Sequence, residues 1–404
     1  MSIGISSRRS ILCSTSILLG AALLGGCNLI LTRDAAPTQA QAPAAAASAA
    51  AAKPGVIRDI TPKELVYDMK IGWNLGNTMD ASPGETGWGN PVTTQEMIDK
   101  IRDMGFKTVR IPVTWNSHIG PAPDYTINKD WLDRVETIAN YVLKDGMYAI
   151  VNTHHDGWIR LTADGQAAGC AEAGKVWTQI ANRFKDYSDY LILEDFNEPK
   201  GSVNQYSGGT PETRKILNAY HLASVNAIRA TGGNNTKRII MVCTHAATPS
   251  DAAIADLVIP NDDPRCVVSI HTYYPGGLAF GGQNSWGTDA DKAAMRRELD
   301  REQKAVASKG GTAIIGEWGS VSRVDLASRV AHAQYYAEQA RLRGMTTIWW
   351  DNGGGDFGLL DRKAKPVTWK WPTIAEALVK GADLATPDAI KKFMETAPTP
   401  APAR

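Results

Sequence analysis

The chain has 404 residues, and its 43 lysines and arginines nearly balance 42 aspartates and glutamates, so the net charge is +1. This length suits one large domain or two ordinary ones and provides ample sequence for a hydrophobic core. The balanced charge, with no long run of either sign, argues against a nucleic-acid partner.

The first 26 residues are organised like a bacterial lipoprotein signal peptide. Arg8 and Arg9 precede an apolar stretch, residues 11–24, that is too short to span a bilayer comfortably. The stretch ends in Leu-Gly-Gly-Cys27, which resembles a lipobox, so Cys27 is the expected lipid anchor. We therefore expect an exported protein held at the outer membrane or cell surface, or secreted if the anchor is not used. The paired arginines also resemble a twin-arginine signal, which leaves both the Sec and the Tat route open.

Composition divides the remaining chain into a tether, a domain and a tail. Residues 27–53 are mostly Ala, Pro, Gln and Ser, which predicts a flexible tether. The domain is expected at residues 54–382, and residues 383–404 are expected to form a tail with a disordered end. Three cysteines beyond the anchor match no metal-binding spacing, and the last two are expected to be buried free thiols: Cys170, Cys243 and Cys266.

Short apolar runs alternate with longer amphipathic segments from residue 71 onward. The runs predict strands at 71–75, 108–113, 148–152, 191–196, 239–243, 267–270, 313–315 and 346–350. Helical patterns fall at 95–104, 129–143, 171–184, 212–230, 249–257, 290–308, 326–342 and 374–378. Eight strands alternating with helices predict a single (β/α)8 TIM barrel domain. A doubly wound sheet is the alternative, but no glycine-rich phosphate loop follows the first strand.

Two glutamates stand where predicted strands give way to loops. Glu198 follows an apolar run in Asn197-Glu-Pro, and Glu317 follows another in Gly316-Glu-Trp-Gly. Because active sites of such barrels lie at the C-terminal ends of the strands, the two carboxylates are candidates for chemistry on a glycosidic bond. Arg110 is a charge inside an apolar run and requires a partner.

The motifs together resemble glycoside hydrolase family 5, in its endo-β-1,4-glucanase branch. They include Gly-Trp-Asn-Leu-Gly-Asn-Thr at 72–78, Arg-Ile-Pro-Val-Thr-Trp at 110–115, Asn-Glu-Pro at 197–199 and Trp-Trp-Asp-Asn-Gly at 349–353. Asp156 departs from the family pattern, which usually has glutamate there, and residues 276–286 resemble no known segment.

The resemblance implies roles for the residues at the strand ends. Glu198 is expected to be the general acid/base, with a pKa raised by the nearby Glu317, and Glu317 the ionised nucleophile, supported by Arg110 and Tyr273. His271 is expected to orient Glu198. Further supporting or sugar-contacting residues are expected at Asn74, Trp115, His154, Asn197 and Trp350, with Trp349 replacing Trp350 if the register is shifted by one.

Other residues have weaker candidate roles. Glu194 is expected deeper in the barrel, paired with a cation. Four more loop tryptophans are candidates for stacking on sugars: Trp88, Trp158, Trp286 and Trp318. A metal site is not expected at His154 and His155, because neighbouring residues of a strand point to opposite faces.

The expected function is a retaining endoglucanase that acts on a β-glucan polysaccharide or oligosaccharide, without cofactor or metal and as a monomer. A xyloglucanase, a mixed-linkage glucanase or a mannanase on the same barrel are the alternatives. An inactive surface lipoprotein that binds glycans is the hypothesis of a different class.

Overall fold

The computed structural model of the protein describes residues 55–201 and 206–396, with no side chain described at positions 394 and 396. The predicted signal peptide, Cys27, the tether and the end of the tail lie outside the described residues. Within these two ranges, no helix has both the length and the apolar character needed to cross a bilayer.

Eight parallel strands form a closed barrel, in which each strand pairs with the next and β8 pairs with β1. The strands are β1 (Gly72–Asn74), β2 (Thr108–Ile111), β3 (Tyr148–Asn152), β4 (Leu191–Glu194), β5 (Ile240–Cys243), β6 (Cys266–His271), β7 (Ala313–Trp318) and β8 (Thr346–Trp349). Each coincides with a predicted apolar run to within three residues at either end, so the predicted TIM barrel is confirmed.

A helix follows every strand and covers the outside of the barrel. These helices are α2 (Gln95–Met104), α3 (Lys129–Lys144), α4 (Gln166–Phe184), α5 (Pro211–Ala230), α6 (Asp251–Ala255), α8 (Asp289–Ala307), α9 (Leu326–Leu342) and α10 (Pro372–Leu384). The sequence did not predict α1 (Pro62–Asp68), α7 (Gly276–Phe280), α11 (Pro387–Thr396) or the short antiparallel ribbon β9 (Leu360–Asp361) and β10 (Thr368–Trp369). Helix α10 ends two residues past the predicted domain boundary at 382, and α11 lies inside the predicted tail.

Local sequence determines where several of these helices begin and end. Helix α5 starts after Thr210, whose side chain accepts a hydrogen bond from the backbone N–H of Thr213, and Pro211 occupies its first turn. Helix α2 stops at Gly105, which adopts a left-handed conformation with φ 106°.

The inward side chains change from apolar to polar along the barrel axis. An apolar cluster inside the barrel comprises Tyr148, Ile150, Ile192, Met241, Val267, Ile314 and Ile348, together with residues of α1. Two residues further along several strands, the inward positions are polar and buried: Asn74, Arg110, Asn152, Glu194 and Ser269. The strand ends therefore present a polar floor on a packed apolar base.

The cysteines of the described chain are free thiols. Cys243 and Cys266 are buried, as predicted, and Cys170 is half-buried. Burial raises the pKa of Cys266 to about 12, so its thiol is unreactive at neutral pH.

Candidate active site

The two candidate glutamates face one open cavity at the C-terminal ends of the strands. The cavity has a volume of about 890 Å³, and both Glu198 and Glu317 line it. Ligating atoms of Glu198, His271 and Glu317 all lie within 4.8 Å of one another. A separation of about 5–5.5 Å is typical of retaining glycosidases, whereas inverting enzymes need about 6.5–9.5 Å. The geometry therefore fits a retaining mechanism.

A β-bulge in β7 brings Glu317 into the barrel mouth. Ile314 points inward into the apolar barrel cluster, whereas Ile315 packs in the outer core. Strict alternation would direct Gly316 inward and Glu317 outward. However, the register with β6 shifts between Ile315 and Glu317, so that His271 pairs with Glu317. The extra residue allows two successive positions to face the barrel axis, as bulges near active sites often do.

Arg110 is the hub of the buried polar floor. Its Nε donates to Glu194 Oε2 at 2.6 Å, and its Nη1 donates to Glu317 Oε1 at 2.9 Å. Nη1 also donates to Asn74 Oδ1 at 3.0 Å, and Nη2 to Asn197 Oδ1 at 2.7 Å. Burial acts to lower the pKa of Arg110, but the two carboxylates raise it, so the side chain is a permanent cation. The expected partners, Glu317 and Glu194, are both present.

His271 and Tyr273 complete the contacts of the two carboxylates. The Nδ1 atom of His271 lies 2.8 Å from Glu198 Oε1 and 3.7 Å from Glu317 Oε2. The Tyr273 hydroxyl donates to Glu317 Oε2 at 3.0 Å. His271 therefore contacts Glu198 as expected, and Glu317 accepts hydrogen bonds at both of its oxygens.

The pKa values of the two carboxyls differ from the expectation. Burial raises the pKa of Glu317, although His271 and Arg110 act against it. Burial also acts to raise the pKa of Glu198, but the hydrogen bond with His271, together with the charges of Lys200 and Arg110, lowers it overall. The predicted raised pKa of Glu198 is therefore wrong, because the hydrogen bond from His271 and the nearby positive charges outweigh the effect of burial. Because ligating atoms of the two carboxyls lie within 4.8 Å of one another, we expect the titration of one to depend on the protonation of the other.

Three other predicted residues line the cavity, and two do not. His154, Asn197 and Trp350 are in its wall, and the Trp350 ring lies parallel to that of His154 with their centroids 5.9 Å apart. Asn74 is fully buried within the floor, where its amide donates to the Gly316 carbonyl at 2.9 Å. It supports the site without access to a sugar.

The prediction that Trp115 contacts substrate is wrong. Its side chain is fully buried, and its indole N–H donates to the Asn152 carbonyl at 2.9 Å. Trp318 and Trp286 are also buried, Trp318 being stacked on Tyr336. Of the other loop tryptophans, Trp158 is half-buried and only Trp88 is largely exposed, beside His155. Trp318 is the last residue of β7 rather than a loop residue, and Trp115 and Trp286 pack with it in the outer hydrophobic core.

Asp156 is a structural residue. Its Oδ1 accepts hydrogen bonds from the backbone N–H groups of Trp115 and Asn116, at 2.8 and 2.7 Å. Burial raises the pKa of Asp156 to about 7 although these hydrogen bonds act in the opposite direction. The carboxylate thus holds the loop after β2 against the loop after β3.

The described residues contain two groups of side chains that could ligate a cation. One comprises Asp80, His154 and His155, and the other is the catalytic cluster itself. The argument that His154 and His155 must diverge is wrong, because both lie beyond the end of β3 and their rings are 4.4 Å apart. Burial lowers the pKa values of both imidazoles, so at pH 7 both rings are neutral and could each offer a nitrogen lone pair to a metal. The expectation of metal-free catalysis stays a prediction.

Several cavity-lining residues were not predicted. They are aromatic side chains carried by two loops and by α7: Tyr206, Phe280 and Phe357. Lys200, which lies beside Glu198, was not predicted either. Lys200 directly follows the Asn-Glu-Pro motif, so its position was a usable signal. The aromatic residues occur in stretches without periodicity, and nothing in the sequence marked them.

Comparison with known proteins agrees with this geometry. Residues 73–356 match the cellulase family, glycosyl hydrolase family 5. The chain belongs to this family. The resemblance found in the sequence motifs is therefore confirmed, and the protein is a glycoside hydrolase.

Individual relatives of this family 5 hydrolase are cellulases and endoglucanases. The chain is 52% identical over 337 residues to cellulase/esterase CelE of Acetivibrio thermocellus, covering 81% of this chain but only 41% of that relative's length. It is 49% identical over 345 residues to endoglucanase B of Clostridium cellulovorans, covering 82% of this chain and 78% of the relative. The solved structure of ZgEngAGH5_4 in complex with a cellotriose is 49% identical, with a TM-score of 0.79, and the match covers 81% of this chain and all of that one.

Proposed function

We propose that this family 5 hydrolase is a retaining endo-β-1,4-glucanase with Glu317 as nucleophile and Glu198 as general acid/base. The observation that carries the proposal is the pair of carboxylates, with ligating atoms within 4.8 Å, facing one open cavity. The endoglucanase relatives support the reaction class. An inactive glycan-binding protein is disfavoured, because both carboxylates and their buried partners are present.

The contacts of each carboxylate suit the two steps of a double displacement. Arg110 and Tyr273 each donate a hydrogen bond to one oxygen of Glu317, and these bonds orient the carboxylate for attack on the anomeric carbon. Glu198 protonates the leaving oxygen in the first step and takes a proton from water in the second. Its side chain is 21% exposed, against 7% for Glu317, which gives it the access that exchange with water requires.

The cavity suits the interior of a β-glucan chain. It is an open cleft, and Trp350 presents an aromatic face in its wall beside His154 and Asn197. Apolar sugar faces pack on such rings, while polar side chains bind the hydroxyls. The cellotriose complex of a half-identical relative supports a glucan substrate. Xyloglucan, mixed-linkage glucan and mannan are the competing substrates, and initial rates on a panel of the four polymers would rank them.

Aryl β-cellobiosides with graded leaving groups test the two roles. Glu317→Gln is expected to abolish turnover of every substrate, because no covalent intermediate can form. Glu198→Ala is expected to retain the most activity on the best leaving groups, which need little protonation. Asp164→Ala, at an exposed acid distant from the pair in sequence, is the control and is expected to leave rates unchanged. An equal loss for good and poor leaving groups in Glu198→Ala would refute the acid assignment.

We also propose that the enzyme is a monomer exported as a lipoprotein and anchored at the outer membrane or cell surface. The proposal rests on the Leu-Gly-Gly-Cys27 motif and the Ala/Pro-rich tether that follows it. Cys27→Ser is expected to move the enzyme from the membrane fraction to the soluble fraction, while Cys170→Ser leaves partition unchanged. Membrane association that persists in Cys27→Ser would contradict the anchor.

A further inference from the structure

Lys200 is the one basic residue in the described chain that forms an ion pair with Glu198 and with no other carboxylate. Its Nζ lies 3.6 Å from Glu198 Oε2, whereas His271 contacts the other oxygen, Oε1. The ammonium is held from behind by Tyr206, whose hydroxyl is 2.6 Å from Nζ and whose ring centroid is 4.5 Å away. Lys200 is thus a partly buried cation beside Glu198, with Tyr206 as a second partner, rather than a freely solvated side chain.

The two oxygens of Glu198 have different environments. Oε1 is 2.8 Å from Nδ1 of His271. The other ring nitrogen, Nε2, is buried and has no hydrogen-bond partner among the described residues, and it lies against Gly316. A buried N–H without a partner is costly, so the favoured tautomer carries its hydrogen on Nδ1 and donates it to Oε1. Oε2 is then the oxygen free to carry the transferable proton, and it is the one that Lys200 faces.

We propose that Lys200 is a positioning residue of the reaction that controls when Oε2 of Glu198 holds a proton. The cation favours the ionised carboxylate, the form that must accept a proton from water in the second step. It opposes the protonated form, which the first step consumes. The inference rests on the proposed role of Glu198 as acid/base.

Lys200 can be changed without removing an ion pair or hydrogen bond of the nucleophile. Glu198 is faced by His271 from β6, Glu317 from β7, Arg110 from β2 and His155 from the loop after β3. Arg110 and His271 also contact Glu317 directly, and Tyr273 donates to it, so their replacement alters both carboxyls. Lys200 acts on Glu198, and its charge contributes to the lowered pKa of that group.

The test is the pH profile of kcat/KM for Lys200→Met and Lys200→Arg on a soluble β-glucan. Removing the cation raises the pKa of Glu198, and the alkaline limb, where the acid loses its proton, is expected to move up by about 0.5–1 pH unit. Above the wild-type limb, this corresponds to roughly three- to ten-fold more retained activity. Lys200→Arg keeps the charge and is expected to restore the wild-type limb. The acidic limb is expected to move less.

Distinct outcomes separate this inference from the proposed function. If Lys200→Met lowers kcat/KM equally at all pH values and leaves the limb in place, Lys200 acts only by structure or substrate contact and the inference is wrong. If the wild-type enzyme does not hydrolyse β-glucans at all, the proposed function fails instead. Lys200→Gln provides a second neutral variant in case the methionine substitution prevents folding, and it must show the same upward shift.

Discussion

The two sides of the active-site cleft are built differently. The polar floor, together with the nucleophile Glu317 that Arg110 contacts, is carried by strands and is buried. The rim, formed by Tyr206, Phe280 and Phe357, is carried by loops and a short helix. Arg110 makes four side-chain hydrogen bonds within the floor. In contrast, Phe280 at the rim is 72% exposed.

This difference indicates which part of the cleft determines chemistry and which determines affinity for the polymer. A buried charge with fixed partners keeps its geometry only if all partners are kept, so floor substitutions should affect kcat severely. An exposed ring contributes mainly surface that a sugar can cover, so rim substitutions should affect KM mildly. The following substitutions test that division, from the largest expected effect to the smallest.

Arg110→Met is expected to have the largest effect. It removes the cation from Glu317 while keeping most of the side-chain length. A lost buried charge interaction is worth roughly 2–5 kcal/mol, which predicts a fall in kcat/KM of about thirty-fold or more. Activity requires ionised Glu317, and losing the cation raises the pKa of the carboxyl pair. The acidic limb of the pH profile should therefore move to higher pH, as initial rates on a soluble glucan would show.

Glu194→Gln is the matched control for this variant. It removes the other carboxylate partner of Arg110 but leaves the 2.9 Å contact between Arg110 and Glu317. The Arg110→Met/Glu194→Gln double variant removes both charges of the Arg110–Glu194 ion pair. It should unfold at a higher temperature than Arg110→Met alone, because the single variant leaves an uncompensated carboxylate buried at Glu194. Near-normal activity with an unmoved acidic limb in Arg110→Met would show that the nucleophile does not depend on the floor cation.

Gly316→Ala tests the bulge that brings the nucleophile inward. A Cβ at this position would lie 3.0 Å from His271 Nε2 and 3.2 Å from Ser269 Oγ, so the imidazole must move. Displacing a group that contacts both carboxylates is expected to lower kcat about ten-fold or more, with KM nearly unchanged. Gly311→Ala is the control, since its nearest contact would be an ordinary 3.7 Å to Val268. A wild-type kcat in Gly316→Ala would mean that His271 has room to adjust without cost.

The floor was largely predictable from the sequence because strand alternation determines it. Apolar runs located all eight strands, and alternation placed Arg110 and Glu194 on one inward face. Trp350 rather than Trp349 faces the cavity for the same reason. Alternation fails where the strand register shifts, and it predicts that Glu317 points outward. Only the family motif identified Glu317 as the nucleophile.

The rim was not predictable, because its geometry depends on contacts between loops. Trp115 was expected in the cleft, but tertiary packing buried it. Phe280 lies on α7, a five-residue helix that has no repeat of apolar positions long enough to recognise. The pKa of Glu198 was predicted in the wrong direction because the lowering effect of the His271 hydrogen bond was not weighed and Lys200 was not placed beside the carboxylate. These misses concern long-range or loop contacts, which no local pattern encodes.

Phe280→Ala is expected to have the smallest effect, confined to polymer binding. The ring lies 5.3 Å from that of Tyr273, centroid to centroid, and forms part of the cavity wall. Aromatic contacts contribute about 0.5–1.5 kcal/mol, so KM for a soluble glucan should rise roughly two- to ten-fold. The kcat value and the melting temperature should stay near wild type, because the side chain is exposed and touches neither carboxylate. Leu326→Ala is the control, since that residue is exposed on α9 and does not line the cavity. An unchanged KM would show that the exposed ring faces water during turnover. Polymer affinity would then come from the floor as well as the chemistry, and the proposed division between the two sides of the cleft would be wrong.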